Sequence, residues 1–195
     1  MQETGTGRER IVLAALKCFE RLGIQRTTME DIAKAAGVSR KTVYRLFENK
    51  TSLVAEVAAH ETAAVCAAAF ARLDLSAPSD ALVTAAEIEL LKEGWTRASK
   101  RAFLEGDIME TLEIVVNDRQ RLELMGAYWQ PILDHIDARG DLRQDVDRDR
   151  LLRWIILVHS MFLTSPGLSS FGSDMRFAGE MLQRFFCPSI LRPNI

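Results

Sequence analysis

The sequence predicts an all-α fold, with a small N-terminal helical bundle joined to a larger C-terminal one. Three observations carry that expectation. Apolar residues recur at intervals of three and four along nearly every segment, and no stretch alternates as a strand would. Gly23, Gly37, Pro78, Gly94 and Gly106 fall between these periodic stretches. The charge is also divided: residues 1–50 hold 10 Lys/Arg against 6 Asp/Glu, and residues 51–195 hold 15 against 21. A net −2 thus conceals a head of +4 and a body of −6, which suggests a polyanionic partner for the head alone. The domains are expected at 1–51 and 52–195.

A chain of 195 residues, 48% hydrophobic and 27% charged, has the composition of an ordinary globular protein with a core. Cys18, Cys66 and Cys187 are odd in number and set in apolar helical patterns, as reduced core thiols are. The opening "MQETGTGRER" lacks the apolar core of a signal peptide. The longest apolar candidate, "LLRWIILVHSMFL", is interrupted by Arg153 and His159 and falls short of the ~18 residues a membrane helix needs. A cytoplasmic location and no membrane partner are expected.

Taken in order, Ile11, Ala14, Ala15, Cys18, Phe19 and Leu22 form one apolar stripe, which Gly23 ends. A second helix opens at "TTME", capped by Thr27 or Thr28 with Glu30 or Asp31 reaching back. Gly37 stops it, Ser39 caps a third, and "ENKTSL" begins a long fourth helix from about Lys50 to Leu73. Further helices are expected at about 80–93, 95–106, 110–138, 148–164 and 174–187, punctuated by Gly94, Gly106 and Pro131.

The stretch "DIAKAAGVSRKTVYRLFENK" has the parts of a helix-turn-helix. A small residue (Ala33) stands where two helices cross, a glycine (Gly37) takes the turn, and a β-branched anchor (Val43) sits on the second helix. At about 100° per residue, Arg40, Lys41, Tyr44 and Arg45 share one arc of roughly 140°, with Val43, Leu46 and Phe47 opposite and Thr42 at the flank. Guanidinium forks that match guanine O6/N7, beside a lysine and a tyrosine, describe a DNA recognition helix better than a merely solvated face.

Residues 27–54, "TTMEDIAKAAGVSRKTVYRLFENKTSLV", resemble the N-terminal domain of the TetR family of bacterial transcriptional regulators, through Thr28, Ile32, Ala33, Ala36, Gly37, Val38, Ser39, Thr42, Tyr44, Phe47, Lys50 and Leu53. The resemblance covers about 45 residues including the first helix. It implies base contacts at Arg40, Lys41 and Thr42, with Tyr44 able to join them, and backbone contacts at Thr28, Tyr44, Arg45 and Lys50. Lys41 and Arg45 stand where members often carry Gly or Pro and His, and both departures add positive charge. Arg8, Arg10 and Arg26 are either further DNA contacts or solvated side chains.

For the C-terminal body the resemblance implies a small effector and a homodimer. Trp95, Phe103, Met109, Met125, Tyr128 and Trp129 are the expected lining of a pocket for a small apolar effector, with His135 and Glu105 as polar anchors; ordinary core is the competing reading. The helix at 151–163 is apolar around nearly its whole circumference, and that at 174–187 around half of it. Both exceed the ~100° stripe of a monomer's surface helix. A two-fold interface is expected there through Leu152, Ile155, Ile156, Phe162, Phe177, Met181 and Phe185.

No catalytic, cofactor or metal constellation is expected. "DVDRDR" imitates a calcium loop, but Arg150 replaces its glycine and Ile156 its glutamate. The expected function is a repressor that leaves a palindromic operator when an effector binds. A helical enzyme or carrier without specific DNA binding is the alternative.

Overall fold

The computed structural model describes residues 7–96, 118–164 and 175–192. Helices α1 (Gly7–Leu22), α2 (Met29–Ala36), α3 (Arg40–Leu46) and α4 (Lys50–Phe70) come first. They are followed by α5 (Ser79–Thr96), α6 (Arg119–Ala138), α7 (Arg148–Thr164) and α8 (Met175–Met181). From α8 the chain passes without a break through a π-helical turn, Leu182–Phe186, into α9 (Cys187–Ile190). The described residues contain no strand, only an isolated antiparallel bridge between Leu142 and Leu191. Two compact units divide the chain: among the described residues one holds 7–63 and 118–121, and the other 64–96 and those from 122 onward.

The first unit is a small bundle around one apolar core. Ile11, Ala15 and Phe19 of α1 meet Ile32 and Ala36 of α2, Val43 of α3, and Leu53 and Val57 of α4, all buried. Local signals set each helix end. Gly23 (φ 79°) closes α1, its N–H on the Phe19 carbonyl at 2.8 Å. Thr27, buried, donates its hydroxyl to the Gly23 carbonyl at 2.8 Å rather than capping α2. That cap is Thr28: it accepts from the Asp31 N–H at 3.1 Å while Asp31 accepts from the Thr28 N–H at 2.9 Å. Both of these backbone N–H groups would otherwise lack a partner.

The second unit has its own core. Leu82, Val83, Ala86 and Leu90 of α5 pack with Trp129, Ile132 and Ile136 of α6, Leu151 and Ile155 of α7, and Leu182, Phe186 and Ile190 at the end of the chain. Two expected boundaries differ. Helix α5 runs through Gly94 to Thr96, because one glycine costs a helix only ~1 kcal/mol. Pro131 lies inside α6 rather than at a break. Residues 95 and 96 of the expected helix at 95–106 belong to α5; its remainder and the start of that at 110–138 fall at 97–117, outside the described residues.

Helix α4 corrects the membrane expectation in one respect. Its 21 residues are long and apolar enough, by composition, to cross a bilayer. Its apolar side chains are used otherwise: Leu53, Val54 and Val57 enter the first core, Cys66 and Ala69 the second. Cys18, Cys66 and Cys187 are all free and buried.

Candidate nucleic-acid interface

The turn between α2 and α3 is built by Gly37, whose φ of 64° is a left-handed conformation that a side chain disfavours. Its N–H reaches the Lys34 carbonyl at 3.2 Å, and the Val38 N–H reaches Ala33 at 3.0 Å. This paired closure satisfies the last carbonyls of α2, and Val38 packs onto the core beside it. Ser39 then caps α3, accepting from the Thr42 N–H at 3.1 Å. Seven residues of helix follow, fixed from below by buried Val43 and Phe47.

The outer arc of α3 is as the spacing predicts. Arg40, Lys41, Tyr44 and Arg45 are exposed. The Arg40 guanidinium lies over the Tyr44 ring, 5.4 Å from its centroid. A hydrogen bond with Tyr44 raises the pKa of Arg40, so its charge is fixed. Tyr44 keeps 43% of its surface exposed, a large apolar-and-hydroxyl tip among cations. Thr42 is half-buried at the flank, its hydroxyl 2.9 Å from that of Ser39.

Two expected backbone contacts are placed differently. Lys50 was expected to face a phosphate, but its ammonium turns inward. It donates to the carbonyls of Ile24 at 2.8 Å, Gln25 at 3.1 Å and Thr27 at 3.1 Å. An ammonium has three N–H donors, so all are committed. Thr28 is exposed, yet its hydroxyl proton goes to Asp31 at 2.6 Å. These hydrogen bonds from the Thr28 side chain and backbone hold the Asp31 carboxyl below its usual range.

Two of the arginines outside α3, Arg8 and Arg26, also act within the protein. Arg8 donates to the Leu46 carbonyl at the end of α3 at 3.0 Å and to Glu56 of α4 at 2.6 Å, with its guanidinium 4.5 Å from the centre of the Phe47 ring. Arg26 donates to the Leu22 carbonyl at 2.9 Å, capping the end of α1. No local pattern in the sequence marks the partners of Arg8, which lie 38 and 48 residues away.

In the second unit, Met125, Tyr128 and Trp129 are buried in the continuous core. Tyr128 donates to the Ala86 carbonyl at 2.8 Å, and its ring meets those of Phe70 and Trp129 edge-on. Burial pushes its hydroxyl pKa far up, which keeps it a donor. Trp95 is half-buried at the end of α5, as is His135 on α6. Phe103, Met109 and Glu105 lie outside the described residues.

The expected interface set divides. Ile155 and Ile156 belong to the core, and Leu152 and Phe162 are half-buried against it. The reason is that a helix apolar all round gives its best-packed side to its own domain. Phe177 and Phe185 are exposed and Met181 half-buried. The exposed face of α7 is instead Trp154, Leu157 and Met161, at helical spacing of three and four. The structure also joins two groups that the sequence left apart: Glu87 of α5 and His159 of α7, both buried, with Oε1 and Nδ1 2.9 Å apart.

Comparison with known proteins agrees with this geometry. Residues 11–57 match the family described as bacterial regulatory proteins, tetR family. The chain is 41% identical over 63 residues to the HTH-type transcriptional regulator TtgR of Pseudomonas putida, covering 31% of this chain and 30% of that protein. It is 42% identical over 50 residues to a probable acrEF/envCD operon repressor of Escherichia coli, covering 26% of this chain and 23% of that protein. The match thus spans less than a third of either relative. In fold the whole chain is similar to the transcriptional repressor QsdR of R. erythropolis, with a TM-score of 0.72, 16% identity, and 99% of this chain and 100% of that one covered. Through residues 11–57, then, the chain is similar to the N-terminal domain of the tetR family of bacterial regulatory proteins.

Proposed function

We propose that the protein is a DNA-binding transcriptional regulator of the cytoplasm, a repressor released from a palindromic operator by a small effector. One observation carries this reading: the exposed Arg40, Lys41, Tyr44 and Arg45 on the outer side of a helix whose inner side is pinned to a helix-turn-helix core. In this reading Arg40 and Lys41 address base edges in the major groove, with Tyr44 and Thr42 beside them, and Arg45 takes a phosphate. Lys50 and Thr28 hold the scaffold instead.

The operator is palindromic because the regulator is a homodimer. Its interface is the exposed apolar face of Trp154, Leu157 and Met161, together with Phe177 and Phe185. Such side chains favour a two-fold mate, which buries well over ~1,000 Å² in a stable dimer. An effector held in the second unit acts by linkage. If it prefers the dimer whose recognition helices are misaligned, it weakens DNA binding by the same factor, a coupling of about 1–3 kcal/mol. Helix α4, whose residues belong to both units, is a connecting element.

A gel shift with DNA from upstream of the protein's own gene tests the reading. We expect a shift that unrelated competitor DNA does not abolish, and that Arg40→Ala weakens. No specific shift with any upstream DNA would overturn it in favour of a carrier or enzyme.

A further inference from the structure

Glu87 is a carboxylic acid with 0% exposure, flanked on α5 by buried Val83, Ala86, Leu90 and Leu91. Its Oε1 meets His159 Nδ1 at 2.9 Å. Its Oε2 is enclosed and has no hydrogen-bond partner among the described residues. The hydroxyls around this pair are committed elsewhere. Tyr128 donates to the carbonyl of Ala86, the residue preceding Glu87, at 2.8 Å, and Ser160, beside His159, donates to Ile156 at 2.8 Å. A buried acceptor without a donor is costly, and an apolar side chain of similar volume would fill the site at no such cost. Packing alone therefore does not explain a glutamate here.

The geometry points to Glu87 Oε2 as the acceptor for an N–H donor on the effector, which makes the effector an apolar molecule carrying one protonated amine or amidinium. This rests on the reading of the second unit as the effector-binding one, and it narrows the ligand from apolar to apolar and cationic. Three features agree with it. His159 holds Oε1, so the direction of Oε2 is fixed, and His159 is a positioning residue. Tyr128 brings an aromatic ring beside the same turn of α5, and such a ring also favours a cation. The −6 balance of residues 51–195 raises the local concentration of cations and disfavours anionic effectors.

The test is calorimetric titration of the whole chain with matched pairs on naphthyl, adamantyl and decyl skeletons, each as the primary amine and as the alcohol. We expect at least one amine to bind at least tenfold more tightly than its alcohol, and Glu87→Gln to erase that preference while leaving alcohol binding in place. The comparison within the unmodified protein needs no variant, so it stands even if Glu87→Gln folds poorly. Alcohols that bind as well as amines would overturn the Glu87 assignment and leave the effector reading standing, as would a preference that survives Glu87→Gln. Binding by neither series would count against both.

Discussion

Lys50 has three N–H donors, and the turn between α1 and α2 presents three carbonyls to it, those of Ile24, Gln25 and Thr27. The side chain is half-buried, and hydrogen bonds from a charged donor are worth more than neutral ones. We expect Lys50→Met to lower stability by about 1–2 kcal/mol in urea denaturation. The salt dependence of DNA binding should keep its slope. A slope lower by about one would instead return Lys50 to the phosphate backbone. Asp31 supplies a second test at the same scale. Its folded pKa is depressed by Thr28, so the capping box stabilises the fold above the ordinary carboxylate range. That stabilisation is lost as pH falls through the folded pKa. Thr28→Ala should lower Tm at pH 7 and differ less from the parent in acid; an equal difference at both pH values would contradict it. The cap was legible in the sequence, because both partners lie within one turn of chain. The destination of Lys50 was not, since its carbonyl partners are 23 to 26 residues away and carbonyls have no sequence signature.

At the scale of elements, α2, the turn and α3 are the best-specified part of the chain. Gly37, Ser39 and Val43 each meet a demand that few residue types meet: a left-handed φ, a side-chain acceptor at a helix start, and a buried branched anchor. We expect Gly37→Ala to cost about 1–2 kcal/mol in denaturant unfolding, the usual penalty for a side chain at that φ. Open space surrounds the position, so conformation and not a clash is the cause, and a neutral result would contradict it. Helix α7 shows the limit of pattern reading. Its sequence announced too much apolar surface, but a pattern apolar all round does not say which side the domain takes. Ile155 and Ile156 went inward, and Trp154, Leu157 and Met161 stayed out. Glu87 was illegible for a related reason: an acidic residue among Ala86, Ile88 and Glu89 reads as a solvated position until α7 brings His159 to it.

For the whole molecule, the proposed reading makes DNA binding depend on dimerisation. Leu157→Glu with Phe185→Glu places charge on two exposed apolar positions outside both cores. We expect the double variant to fold with an unchanged helical spectrum and to sediment as a monomer at micromolar concentration. Its operator affinity should fall with it, because one half-site alone remains. A dimer that survives both charges would move the interface elsewhere. The helical plan was readable from periodicity. The exposed apolar face was not readable to the residue, because it depends on which side of α7 the domain takes.

The central claim is sequence-specific binding by α3, and selection from a random duplex library by the purified chain tests it most directly. We expect enrichment of a sequence with two-fold symmetry, its half-sites one DNA turn of about 10 base pairs or a multiple apart. We also expect Arg40→Ala, at a cost of about 1–3 kcal/mol, to relax preference at the corresponding position in each half-site. No enriched sequence, or one that Arg40→Ala and Lys41→Ala leave unchanged in preference and affinity, would rule out α3 as a recognition helix.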